Sequence, residues 1–463
     1  MKLFFVLLLA AFGLVAQATE PQVLPAPVAQ ALKAAGIPAQ SVAIVVRPIE
    51  NEKTLLRHRG DAAMNPASLM KLVTTTAALE LLGPATTWRT EVLADALPDG
   101  NGVLAGDLYL RGSGDPKLTY DRLWLLLREL RARGVREIRG DLVIDRTAFA
   151  PTDHDPAAFD GKLLRPYNVG PDALLFNFAT LHLTLVPDGP SVRVLAEPLP
   201  AGFEVVNRLQ LNDKVGCGEW RERLDAQLTP TRLTLSGAFP RSCGEKRWHL
   251  AGLPNALLLH GVFTRLWREL GGEFSGAWRE RATPASAIAL ATSESPTLGE
   301  LVRDINKFSN NVMARQVFLT LGAGTTAAAD QAIRAWLARK GLDFPELVLD
   351  NGSGLSRRER ISADHLARLL AVTWASPIMP ELISSLPIVA VDGTAKKRYN
   401  GVSYAGQAHL KTGSLEGVRG IAGYLLDQQG RRHIVVFMVN HPNAAQAQPA
   451  FDVLLDTLWQ GAS

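Results

Sequence analysis

Apolar and polar positions follow different rhythms in different parts of the chain. Residues 26–36 (APVAQALKAAG) read as a short helix. Ser41 to Ile49 (SVAIVVRPI) is rich in β-branched residues and reads as a strand, with Thr54 to His58 as its returning partner. Pro66-Ala67-Ser68 opens the helical stretch SLMKLVTTTAALELLG, which Gly83-Pro84 closes. From about 88 to 284 the pattern becomes short strand-like runs between Gly, Pro, Asp and Asn, such as GDLYLRG, EIRGDLVID and TRLTLSG. One amphipathic helix, about Asp121 to Gly134, interrupts them. Helical signals resume at Thr297. Gly420 to Leu426 and His433 to Val439 then read as an antiparallel hairpin in a buried sheet, and a helix from about Gln446 to Trp459 follows.

This order predicts an α/β (α+β) body split in sequence, residues 22–84 and 285–463, around inserted β-rich domain(s) at 85–284. A length of 463 residues suits two or three domains. Composition changes this little: 47% apolar and 20% charged is ordinary for a globular protein. The net charge of +4 is spread along the chain, and there is no nucleic-acid motif, so no nucleic-acid partner is expected. The N-terminus adds more. Lys2, the apolar run Leu3 to Val15 and Ala16-Gln17-Ala18 predict a secretory signal peptide, residues 1–18, cleaved after Ala18. No other stretch is long and apolar enough to be transmembrane, so an exported, periplasmic protein is expected. In an oxidising compartment the two cysteines, Cys217 and Cys243, are expected to pair as a disulfide.

Three short motifs carry the candidate chemistry. In Ser68-Leu69-Met70-Lys71, positions i and i+3 at a helix start share a face, so hydroxyl and amine can meet. A serine hydroxyl needs a base, and the apolar neighbours of Lys71 can desolvate its amine and free the lone pair. Ser309-Asn310-Asn311 lies in a helical region; Ser309 can relay a proton between Lys71 and a leaving amine, and the Asn311 amide can hold a substrate carbonyl and Lys71. Lys411-Thr412-Gly413, followed by Ser414, precedes the hairpin and is expected on an edge strand. Lys411 and Thr412 can bind a terminal carboxylate, Gly413 lets a substrate backbone approach, and the Ser68 and Ser414 amides can form an oxyanion hole. Such a motif set marks penicillin-binding proteins and class A β-lactamases.

The resemblance extends further. PASLMKLVTTTAAL around Ser68, GDLYLRGSGDPKL (106–118), DNGSGLSRRERIS (350–362), SLPIVAVDGTAKKR (385–398) and HLKTGSLEGVRGIAGYL (409–425) resemble, in order, the class C low-molecular-mass penicillin-binding proteins. These are the DacB-like D-alanyl-D-alanine carboxypeptidase/endopeptidases, whose hallmark is a long insertion between the first two motifs. The resemblance implies a β-lactamase/transpeptidase-like catalytic domain. It implies that Ser68 attacks the carbonyl between two D-alanines of a peptidoglycan stem peptide, or a D-alanyl–diaminopimelate cross-link, and that β-lactams acylate the same serine. By carry-over, Lys71 is the general base, Ser309 the relay, Asn311 the substrate and lysine contact, and Lys411 the carboxylate anchor. Asp115 is either a contact to the diaminopimelyl amino end or a turn aspartate before Pro116, and Leu415 would line the same pocket. A homodimer is compatible with the family. No metal or cofactor is expected.

Rival readings remain at this stage. A serine β-lactamase would use a glutamate in an E-x-x-L-N segment, and Glu346 to Asp350 (ELVLD) comes near it, but the long insertion speaks against this. A catalytically inactive wall-binding protein is disfavoured by the complete motif set. Asp153-His154-Asp155 reads as a polar loop rather than a metal site, and Gly352-Ser353-Gly354 lacks nucleophile-elbow spacing. The runs Arg357-Arg358-Glu359-Arg360 and Lys396-Lys397-Arg398 read as solvated faces that could touch glycan or carboxylates.

Overall fold

A computed structural model describes residues 24–50 and 53–461. The expected signal peptide lies outside the described residues. No described helix is long and apolar enough to cross a membrane.

The central element is a five-stranded antiparallel sheet, in the order Ala408–Leu415, Val418–Leu426, Arg432–Asn440, Val42–Pro48, Leu56–His58. Both ends of the chain thus build one sheet, with Val42 opposite Val439 and Pro48 opposite His433. Its inner strands are apolar on both faces because both faces are covered. Ala43, Val45, Ile434, Val436 and Met438 pack towards helices Met70–Leu81, Thr326–Arg339 and Ala363–Trp374. The alternate residues Val42, Ile44, Val46, Val435 and Phe437 pack towards helices Ala26–Ala34 and Gln448–Trp459. The period of two inside an unbroken apolar run separates the two layers. Two more helices, Leu298–Lys307 and Asn311–Leu321, pack through Leu301, Ile305 and Val317 with Ala78 of the helix after Ser68.

Among the described residues, the chain between these segments forms four further sheets. The largest has the order Trp278–Glu280, Leu142–Asp145, Leu108–Gly112, Arg89–Ala94, Ile288–Glu294. Arg89–Ala94 and Ile288–Glu294 are antiparallel neighbours, and Trp88 and Ser295 bond to each other beyond them. The chain therefore enters and leaves the insertion side by side. The strand Ile288–Glu294, which follows the expected boundary at 284, pairs with Arg89–Ala94. The insertion also holds a second helix, Asn255–Glu269, that the strand-dominated reading missed. Its signal was present: Pro254 at the start, then Ala256, Leu259, Val262, Phe263 and Leu266 at helical spacing, all buried. Cys217 and Cys243 form the expected disulfide.

Candidate active site

Ser68 lies in a one-turn 3-10 segment, Ala67–Leu69, that runs into the helix Met70–Leu81. Ala67 has φ +47°, a strained value held from several sides. Asn65 Oδ1 accepts from the Ala67 amide at 2.9 Å, and Asn65 and Asn440 bond reciprocally at 2.8 and 3.0 Å. The turn is thereby tied to the sheet. It is also closely packed: a Cβ at Gly413 would stand 2.7 Å from the Pro66 carbonyl oxygen, and one at Gly354 only 2.0 Å from that of Ala67.

Lys71 is fully buried one turn beyond Ser68. Its Nζ lies 3.1 Å from Ser68 Oγ and 2.6 Å from Asn311 Oδ1, and it also donates to the Ser353 carbonyl. Burial, and next the positive charge of Lys411, hold its pKa well below the ordinary lysine value; Arg315 pushes the same way and Glu359 opposes. A neutral amine has two N–H bonds and one lone pair. Asn311 Oδ1 and the Ser353 carbonyl can only accept, so they take the two N–H groups. The lone pair is left for Ser68, whose hydroxyl can donate.

Ser309 does not lie within a helix as expected. It separates two, at φ +55°, after the cap residue Phe308. Its hydroxyl accepts from Lys411 Nζ at 2.9 Å rather than bonding Lys71. Asn310 caps the next helix by accepting from the Met313 amide. Asn is among the residues that cap helix starts best. Asn311 is the first residue of that helix, and its Nδ2 points to the Tyr167 carbonyl at 3.4 Å.

Lys411, Thr412, Gly413 and Ser414 lie on the edge strand Ala408–Leu415, as expected. Lys411 is fully buried, and burial, then the charge of Arg398, lower its pKa to about 7. Thr412 Oγ1 lies 2.8 Å from Thr394 Oγ1, and Arg398 Nη2 donates to Ser414 Oγ at 3.3 Å. Leu415 joins a small apolar cluster with Ala67, Leu355 and Val418.

Asp115 is the candidate the geometry does not bring into this group. It is 2% exposed, accepts from Arg122 Nη1 at 2.6 Å and from the Lys117 amide at 2.8 Å. Its carboxylate is occupied by its own turn, as the Pro116 context allows. Arg357–Arg360 is not a uniformly solvated face either, because Glu359 within it is fully buried. In the second basic run Lys396 and Lys397 are exposed, but Arg398 reaches the site. Glu346 is taken by His365 Nδ1 at 2.7 Å and the Ser362 amide at 2.8 Å, so it is not presented to Ser68 as a deacylating base. His154 Nε2 bonds the Asn168 carbonyl, and no metal-binding cluster occurs among the described residues. Ser353, Thr394 and Tyr167 were missed by sequence reasoning. Two contribute through backbone carbonyls, which leave no residue-type signature.

Fold and constellation together define a penicillin-binding serine hydrolase of the DD-peptidase class. Residues 24–458 match the D-Ala-D-Ala carboxypeptidase 3 (S13) family, and the chain belongs to that family. It is a serine-type D-Ala-D-Ala carboxypeptidase. A D-alanyl-D-alanine carboxypeptidase of Actinomadura sp. (strain R39) is 29% identical over 438 residues, covering 88% of this chain and 79% of the relative. The D-alanyl-D-alanine carboxypeptidase DacB of Haemophilus influenzae is 26% identical over 86% of this chain and 85% of its own length. The crystal structure of penicillin binding protein 4 (dacB) from Haemophilus influenzae shares the fold, with a TM-score of 0.77 at 24% identity over 93% of this chain and 99% of that one. A predatory peptidoglycan endopeptidase of Bdellovibrio bacteriovorus shares it more distantly, with a TM-score of 0.52 at 17% identity over 90% of this chain and 92% of that one.

Proposed function

We propose that the chain is an exported, periplasmic enzyme that trims D-alanine from peptidoglycan stem peptides and cuts D-alanyl–diaminopimelate cross-links through an acyl-enzyme on Ser68. The arrangement around Lys71 Nζ carries this reading: two acceptors take its N–H groups and the Ser68 hydroxyl meets the lone pair. Lys71 takes the Ser68 proton as the oxygen attacks the D-alanyl carbonyl. The developing oxyanion is held by the Ser68 and Ser414 amides. Lys411 and Thr412 bind the terminal carboxylate, and Ser309, bonded to Lys411, passes a proton to the leaving amine. Asn311 holds the substrate amide while it orients Lys71. Water then hydrolyses the ester. A β-lactam presents a carbonyl and a carboxylate to the same groups and acylates Ser68.

The test is incubation with a fluorescent penicillin, adduct mapping by mass spectrometry and a Ser68→Ala control. A long-lived adduct on Ser68, absent from the variant, is expected. No adduct on folded protein would revive the inactive wall-binding reading, and clearance within seconds the β-lactamase one. Release of D-alanine from a pentapeptide, set against cleavage of a cross-linked dimer, measures the two peptidase activities separately.

A further inference from the structure

The segment DNGSGLSRRERIS, whose role the motifs leave open, contains the most buried carboxylate near the site. Glu359 is fully buried and forms no ion pair among the described residues. One of its oxygens, Oε1, accepts from three consecutive amides: Asp350 at 3.3 Å, Asn351 at 3.1 Å and Gly352 at 2.9 Å. Its other oxygen, Oε2, has no hydrogen-bond partner among the described residues. A buried carboxylate without an ion-pair partner is costly to keep charged, and the three amides offset only part of that cost.

The gathered amides begin the loop that faces the nucleophile. The Gly352 carbonyl accepts from Thr74 Oγ1 at 2.7 Å, one turn beyond Lys71. The Ser353 carbonyl accepts from Lys71 Nζ. Gly354, at φ +81°, lies against the Ala67 carbonyl so closely that no Cβ fits. Asn65, which caps the nucleophile turn, donates to the Ser356 carbonyl at 2.8 Å. The loop thus sits between Glu359 and Ser68 and supplies one of the two acceptors that aim the Lys71 lone pair.

We propose that Glu359 is a positioning residue: its carboxylate pins the 350–354 loop so that the Ser353 carbonyl orients Lys71, and it places a negative charge behind that loop. This rests on Ser68 and Lys71 acting as proposed above. The charges facing Lys71 are Lys411 and Arg315, which lower its pKa, and Glu359, which raises it. Those bearing on Glu359 include Asp350, of the same charge, and Arg315, whose own pKa burial lowers to about 10 against the pull of Glu359. Burial, first, pushes the Glu359 pKa up and the like charge of Asp350 adds to this, while the three N–H groups on Oε1 oppose both by favouring the charged form on which this role depends.

The experiment compares Glu359→Gln and Glu359→Ala with wild type. Second-order acylation by a fluorescent penicillin is followed from pH 5 to 9, alongside kcat and KM for a D-Ala-D-Ala peptide and thermal unfolding. Glu359→Gln keeps an acceptor oxygen but removes the charge. Its acid limb should move to lower pH, because loss of a negative neighbour lowers the Lys71 pKa, and its maximal rate should stay within about tenfold of wild type. Glu359→Ala frees the loop and should lose about a hundredfold in kcat or more, with little change in KM, since Glu359 touches no substrate. A folded Glu359→Ala enzyme with the wild-type profile would overturn the proposal. So would a Glu359→Gln enzyme whose acid limb stays in place, and this second test stands even if the alanine variant does not fold. Failure of wild type itself to label at Ser68 would be read separately, as failure of the nucleophile assignment.

Discussion

In the insertion, buried charge is matched. Asp115 faces Arg122 at 2.6 Å, and Asp145, 2% exposed, accepts from the Thr147 amide and hydroxyl and from the Thr283 amide. Beside Ser68 the opposite holds. Lys71 and Lys411 are both fully buried, and neither forms an ion pair among the described residues. A protein that buries two lysines near each other, without a carboxylate on either, sacrifices stability for amines whose pKa values lie well below the ordinary lysine value. The insertion is built for folding and the sheet edge for reactivity. Each of the following changes tests one side of that contrast.

The largest effect should come from Lys71→Ala. It removes the base and leaves a pocket for it, and acylation should fall roughly 10³- to 10⁴-fold, at the upper end of the general-base range. Unfolding free energy should hold or rise, since a desolvated amine is deleted. Active-site titration with labelled penicillin and urea unfolding read the two quantities. A variant that loses stability as steeply as activity would break the contrast. Next comes Arg122→Ala in the insertion, which strands Asp115. It should destabilise by about 3–5 kcal/mol, the usual effect of orphaning one partner of a buried pair. Acylation per folded molecule should not change. The Cys217→Ser/Cys243→Ser pair comes third. The disulfide spans a sequence separation of 26, and loop closure of that length is worth about 3.5 kcal/mol, again without effect on acylation of the folded protein.

The same contrast explains what could be read from the chain directly. The sheet was legible because VAIVV and HIVVFMV tolerate no exposed face, and the insertion because its runs are short and broken by turn residues. Ser68, Lys71, Ser309, Asn311 and Lys411 were legible because side chains carry their chemistry. The helix Asn255–Glu269 was missed among strands although its apolar residues stand at helical spacing in the sequence. Asp115 was read either as a substrate contact or as a turn aspartate, and its carboxylate is bonded to Arg122 and to the Lys117 amide of its own turn. Ser353 acts through its backbone and Glu359 through backbone amides. A charged run such as RRER does not reveal which of its members turns inward, since that depends on a loop folding over it.

The most diagnostic effect concerns Lys411. Its folded pKa is about 7, against an ordinary lysine value of 10.5 in the unfolded chain. Between those values the unfolded state holds a proton that the folded state lacks, so this residue makes unfolding free energy rise with pH across that window. As pH falls towards 7 that contribution to stability is lost, and below 7 the deficit is constant. Lys411→Met removes the residue from the balance. Wild type should therefore gain up to about 1.4 kcal/mol per pH unit more than the variant between pH 7 and 10. Parallel stability curves would mean that Lys411 is not desolvated. Function supplies a second axis, because the protonated form anchors the substrate carboxylate. Losing that charge-assisted bond, worth about 1.5–3 kcal/mol, should lower kcat/KM for a carboxylate-ended peptide about 10- to 150-fold relative to an amidated one, which loses only the Lys411–Ser309 contact. In wild type the preference for the carboxylate peptide should shrink as pH rises through 7, where the free enzyme loses the proton. If the preference persists to pH 9, the anion is held by Thr412 and Arg398 instead, and the buried amine serves the proton relay through Ser309 alone.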